Sequence, residues 1–268
     1  MRYLRLLTLQ VRLSLALGLQ YRWNFLVDGL VSTLWTGLGL VPLYVALHGR
    51  PPVAGWDFPR ALVVVGWFTL LKGVLDGAIN PSLVAVVDQI RQGTLDFVLL
   101  KPADAQFLVS TARFEPWKVI DVAAALGILG WAFHLLGEGP SPAGLVLSLA
   151  LFACSLLVLY SLWILVISAA FWVVRLDNLA FAFGSILDFA RWPVGIFRGG
   201  WLLLFTFVIP IGLMTTYPAQ ALLGWLDPAT GGLGQRTVGL SIVGSLAFAV
   251  LARTVWTRAI ARYTSASS

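Results

Sequence analysis

The chain has 268 residues, 59% of them hydrophobic and only 11% charged, with a formal net charge of +6. A soluble domain carries about 25% charged residues, so charge this sparse cannot cover a soluble core. The basic residues stand at the ends of apolar runs instead of clustering, which argues against a phosphate-binding surface and any nucleic-acid partner and leaves membrane orientation as their role.

Three stretches, 29–47, 139–174 and 199–226, hold no charged residue. About 20 helical residues cross a hydrocarbon core of about 30 Å, whereas apolar helices buried in soluble proteins usually run to about 10–14. The fold class is therefore all-α: a polytopic membrane protein with six transmembrane helices in one transmembrane domain covering 1–268. Residues 1–22 read as an interfacial helix, because Arg2, Arg5, Thr8 and Arg12 share one face of a Leu-rich segment. The same arginines interrupt any cleavable leader pattern.

The first span covers about 24–47 and contains Asp28 and Pro42. The second, about 58–80, ends at Pro81 and carries Lys72 and Asp76 four residues apart. That spacing puts them on one helix face, where they can pair, and Asp28 is expected at similar depth. Charges inside a membrane face a partner or a cavity. This intramembrane cluster therefore reads either as an ion pair near the inner interface or as a pathway group.

The connection 81–116 is the longest polar-containing segment. Val84, Val87 and Ile90 repeat at helical spacing, and Asp88, Gln89, Arg91 and Gln92 offer a polar face. Gly93 ends this helix by accepting a left-handed cap. Thr94, Leu95 and Asp96 then lead into an apolar stretch to Leu100, stopped by Lys101 and Pro102. Apolar surface on a polar rim marks a contact site. The competing reading is an interfacial helix packed on its own subunit.

The third span is expected at about 117–136 and the fourth at about 144–174. Residues 177–191 read as a second interfacial helix, with Asp177, Gly184, Asp188 and Arg191 on one face and Leu179, Phe183 and Ile186 opposite. Pro193 lies in the turn that follows. The fifth span, about 200–223, is expected to bend at Pro210 and Pro218, since proline removes a backbone hydrogen bond. The sixth covers about 237–257. With both termini in the cytoplasm, 14 of the 18 Lys and Arg residues fall inside and 3 outside, with Lys72 in a span. The expected location is the bacterial inner membrane.

The segment QIRQGTLDFVLLKPAD, Gln89 to Asp104, resembles the stretch after the second span in permeases of type 2 ABC exporters. So does Arg191 to Gly224, where a Pro-containing interfacial turn leads to a span ending in Tyr-Pro-Ala. The six-span plan is similar too, so the likeness covers nearly the whole chain. It implies a half-transporter without bound cofactor, with ATP and Mg held by separate ATP-binding-cassette ATPase subunits. It also implies a second permease, as homodimer or heterodimer, surrounding membrane lipid, and a coupling helix at about 82–101 that docks on the ATPase. Export of drugs, antibiotics, lipids or glycoconjugates is the family's usual task. The outer re-entrant helices usual in that family have no clear counterpart between 226 and 236.

Two other classes compete. An intramembrane enzyme needs a nucleophile or metal site, yet the two histidines, His48 and His134, stand near outer span ends, and Cys154 is the only cysteine. A phosphate-binding loop is missing as well, so the chain is not expected to be an enzyme. A channel or scaffold remains open if the pathway lies between protomers. Tryptophans near span ends (Trp23, Trp56, Trp117, Trp131, Trp192 and Trp256) are expected to form a headgroup belt.

Overall fold

The computed structural model describes residues 2–20, 22–169, 171, 184–185, 187–197, 199–203, 210–227 and 232–262. Its helices are α1 (Arg2–Gln20), α2 (Arg22–Leu47), α3 (Phe58–Val74), α4 (Asn80–Arg91), α5 (Asp96–Leu99) and α6 (Ala105–Ser110). They are followed by α7 (Val119–Leu136), α8 (Pro142–Ala169), α9 (Gly200–Leu203), α10 (Tyr217–Leu222) and α11 (Gln235–Ala261). Five helices among the described residues are long and apolar enough to cross a membrane: Leu26–Leu47, Phe58–Ile90, Pro116–Leu136, Pro142–Ala169 and Gln235–Ala261. The expected fifth span lies partly outside the described residues, as does most of the expected helix 177–191, including Leu179, Phe183 and Ile186.

Side chains start and stop these helices in ordinary ways. Asp57 caps α3 by accepting from the Arg60 N–H at 2.9 Å. Ser141 does the same for α8 through Gly144 at 3.0 Å. Gly137, at φ +74°, closes α7 in the left-handed conformation.

Proline makes the first departure from expectation. The second span does not end at Pro81; it runs through a π-turn, Leu75–Ile79, straight into α4. In a regular helix Pro81 would owe an N–H to the Gly77 carbonyl, and the Glu115 N–H fills that place at 2.8 Å. The freed carbonyl is satisfied from outside, so the helix need not stop. A second π-turn, Gly212–Thr216, precedes Pro218 at the start of α10. There the Leu213 carbonyl accepts from the Ser155 hydroxyl at 2.7 Å. Pro193 initiates a short 3-10 turn, Val194–Ile196, and Pro210 sits one residue before the helical backbone resumes.

Two cores hold the bundle. The first gathers Phe68 and Leu71 of α3 and Leu75 of the π-turn with Leu159, Ile164 and Met214, all buried, and reaches Trp256 of α11. The second joins Leu43 and Leu47 of α2 to Leu62 and Val64 of α3, Leu129 of α7 and Leu222. Phe152 packs against both. The headgroup-belt expectation fails for Trp56 and Trp256, at 2% and 1% exposure. Trp56 instead lies against Trp225, with ring centroids 5.2 Å apart, whereas Trp23 keeps 72% of its surface exposed. α3 is the central helix and α2 the most peripheral: 61% against 11% of their apolar windows is buried.

At one end of the bundle α1 lies against the 104–116 connection. Its Tyr3 ring meets Phe107 edge-on at 4.8 Å, and its Ser14 hydroxyl accepts from the Phe114 N–H at 3.1 Å.

Candidate functional site

Two regions concentrate polar chemistry, and α3 with its extension α4 links them. The first is the tip of the 81–116 connection. Its helix closes as a Schellman motif: Thr94 N–H donates to the Gln89 carbonyl at 3.0 Å and Gly93 N–H to Ile90 at 3.3 Å. Gly93 has φ +68°, where a Cβ is strained. The turn is pinned by Leu95, which is fully buried in the first core. Beyond it, Phe97 of α5 is 70% exposed and Leu100, just past the end of α5, 81%.

Around these apolar side chains Asp88, Gln92, Lys101 and Pro102 are exposed, while Gln89, Thr94 and Asp96 are half-buried. Arg91 ends α4. The apolar face of α4 differs in register from expectation. Leu83 and Val86 are the buried residues, Val87 and Ile90 pack beside them, and Val84 turns outward at 47% exposure. Docking on the 104–116 connection accompanies that face: the Ser82 hydroxyl donates to the Arg113 carbonyl at 2.7 Å.

A clamp ties this end to the distant spans. The Arg253 guanidinium of α11 holds the Asp104 carboxylate and donates to Gln106 at 2.7 Å. Gln106 passes a hydrogen bond to the Tyr160 hydroxyl of α8 at 2.9 Å. Arg253 thereby holds the Asp104 carboxyl below the usual carboxylate range. Nearby, burial raises that of Glu115 above its ordinary value.

The second region is a cleft between α2, α3 and the start of α7, with Arg191 at its edge. Lys72 does not take Asp76 as its partner. Its ammonium donates to Asp188 at 3.0 Å, while Asp76 accepts from Asn80 and stands 3.8 Å from Lys118. The π-turn beginning at Leu75 breaks the register on which an i, i+4 pair depends. Lys118 also binds Asp121 at 2.9 Å, and Asp121 accepts a hydrogen bond from Ser32. Arg191 reaches Asp188 at 3.2 Å. Asp28 is exposed on α2 and does not line the cleft.

Sequence reading missed Lys118 and Asp121, which it had assigned to a span start, and it placed Asp188 and Arg191 on a surface helix. No local pattern links positions over 100 apart, although lone aspartates beside apolar runs were a usable signal.

The chain matches the family model described as ABC-2 family transporter protein over residues 33–267. It belongs to that family. Every described feature of the tip and the cleft except α1 and the first part of α2 falls inside the match. No curated protein and no solved structure matches the chain. As an ABC-2 family protein it is a multi-pass membrane component of a transport system, and membership implies association with an ATP-binding-cassette ATPase.

Proposed function

We propose that this ABC-2 protein is the export permease of an ATP-driven transporter in the bacterial inner membrane, with both termini cytoplasmic. The observation that carries the reading is the unbroken helical rod from Phe58 to Ile90, which joins the charged cleft to an exposed tip. Phe97 and Leu100 supply the apolar anchor, and burying each against a partner is worth about 1.5–3 kcal/mol. The ATPase subunits close on ATP and push the tip. The rod carries that displacement to the cleft and shifts the pathway between its two accesses, which requires different tip contacts in the two states. A second permease, identical or related, completes the pathway, and the cargo is hydrophobic or amphipathic.

The test uses membranes containing the chain and its ATP-binding-cassette partner. Gly93→Pro cannot adopt φ +68° and removes the N–H given to Ile90. It should abolish transport-stimulated ATP hydrolysis while the protein still inserts, and Asp96→Lys should act alike. Phe97→Asp should weaken ATPase co-purification by about tenfold or more, as loss of a central apolar anchor does. Unchanged coupling in all three variants would defeat the reading.

A further inference from the structure

The six charges of the cleft are not three isolated pairs. Asp188 is shared by Lys72 and Arg191, at 3.0 Å and 3.2 Å. Lys118 is shared by Asp121 and Asp76, at 2.9 Å and 3.8 Å. Among the described residues, the first triad therefore carries one surplus positive charge and the second one surplus negative charge. All of these side chains except Asp188 line the same cleft, and Asp188 lines the adjoining cavity. Neither triad can neutralise itself, and the two surpluses stand about one helical turn apart, because Lys72 and Asp76 are separated by about 6 Å of rise.

The depth of the cleft makes this arrangement costly unless it is used. Lys72 lies fourteen residues beyond Phe58, about 21 Å along α3 and so inside a hydrocarbon core of about 30 Å. A sealed structural bridge would bury both partners, yet Lys72 and Asp188 keep 48% and 44% of their side-chain surface open. Both cations, Lys72 at 5.7 Å and Arg191 at 5.3 Å, sit over the ring of Phe68, which holds them toward the opening without discharging them. On the other side of Phe68, Lys72 and Asp76 a second cavity of about 300 Å³ opens, walled mainly by Leu71, Leu75, Leu159 and Met214, with Asn80 and Asp188 at its polar side. A charged compartment thus adjoins a mostly apolar one across a shared wall.

We propose that this cleft binds the zwitterionic headgroup of an amphiphile. The anionic group lies against Lys72 and Arg191, the cationic group against Asp76, which stays 23% open beside the buried Asp121, and the apolar chain in the second cavity. The span between phosphate and amine in a phosphoethanolamine-type group is comparable to the separation of the two surpluses. The proposal deepens the transport reading by naming a class of cargo and rests on it.

Binding is measured on the full-length chain in nonionic detergent, without ATP or ATPase, by native mass spectrometry and ligand-induced shifts in melting. The probes are phosphatidylethanolamine, phosphatidylglycerol and diacylglycerol with identical short chains, and phosphoethanolamine with none. The wild type should prefer phosphatidylethanolamine about tenfold over the other two lipids. Asp121→Asn leaves the cleft with a surplus positive charge and should turn the preference toward phosphatidylglycerol. Lys72→Met leaves a surplus negative charge and should lose the preference for phosphatidylethanolamine over diacylglycerol. Arg60→Gln, at a surface pair elsewhere on α3, should change nothing, and melting with diacylglycerol shows that each variant is folded.

Tight binding of phosphoethanolamine alone would support the charged cleft and assign a soluble source, whereas binding of the lipid only assigns a membrane source. Equal affinity for all three lipids, or wild-type preference in both cleft variants, would overturn the proposal. Selective binding without ATP-driven export would count against the transport reading alone.

Discussion

Ser155 lies wholly buried in α8, and its single hydroxyl hydrogen is shared between the Leu151 and Leu213 carbonyls, each 2.7 Å away. Five residues after Leu213 stands Pro218, which has no N–H to give in the wide register of the π-turn. Replacing Ser155 by Ala strands that carbonyl in an apolar setting and should cost about 1 kcal/mol, within the range measured for hydrogen bonds between membrane helices. Adding Pro218→Ala returns a backbone donor, so the double variant should regain most of the lost melting temperature. Additive losses would refute this account.

At Asp104 the relevant variable is pH. Its folded-state pKa is lowered, first by the hydrogen bond from Arg253. The clamp therefore contributes fully above the ordinary aspartate value of about 3.9 and fades as pH falls below it. Both side chains are partly exposed, so the contribution is small, about 1 kcal/mol or less. The melting difference between wild type and Asp104→Asn should be constant from neutral pH down to about pH 5 and shrink below about pH 4.

Among elements, α8 comes close to the backbone of α10. A Cβ on Gly144 would stand 2.6 Å from the Ala221 carbonyl oxygen, a backbone atom that cannot swing aside. Gly144→Ala should therefore destabilise by about 1–3 kcal/mol through overpacking. Gly127→Ala on α7 meets nothing within 4 Å and should be neutral or gain the helix propensity of Ala. Thermal unfolding of the two variants side by side distinguishes a packing glycine from a tolerated one.

The helix end at Gly93 was legible in the chain because left-handed caps depend on local chemistry. Pro81 was misleading for the complementary reason. Whether a proline ends a helix depends on who takes the orphaned carbonyl, and here that is Glu115, 38 positions after Gly77. The register of α4 was likewise set by a surface the local sequence does not contain.

For the whole molecule, an all-helical membrane protein could be read from uninterrupted apolar runs, and QGTLDF with LLKPAD carried the family resemblance. The cleft was not readable: its charges come from three distant segments, and each local pair, Lys72 with Asp76, Lys118 with Asp121 and Asp188 with Arg191, gives no sign of the other two. The sidedness proposed from the basic residues is testable without substrate. In a Cys154→Ala background, a membrane-impermeant maleimide applied to intact cells should label Arg50→Cys and spare Gln92→Cys. Labelling of Gln92→Cys from outside would invert the topology and sink the coupling account with it.

The wide turn at Leu75–Ile79 holds one residue more than a regular coil needs, and Pro81 lies just beyond it. Surplus of this kind can migrate along a helix by passing bonds from neighbour to neighbour, but a residue without an amide hydrogen blocks the next hand-over. The proline thus acts as a detent. With Lys72 above it and Asp88 below held in one angular phase, the coupling proposed above would deliver torque at one end of this shaft as rotation at the other.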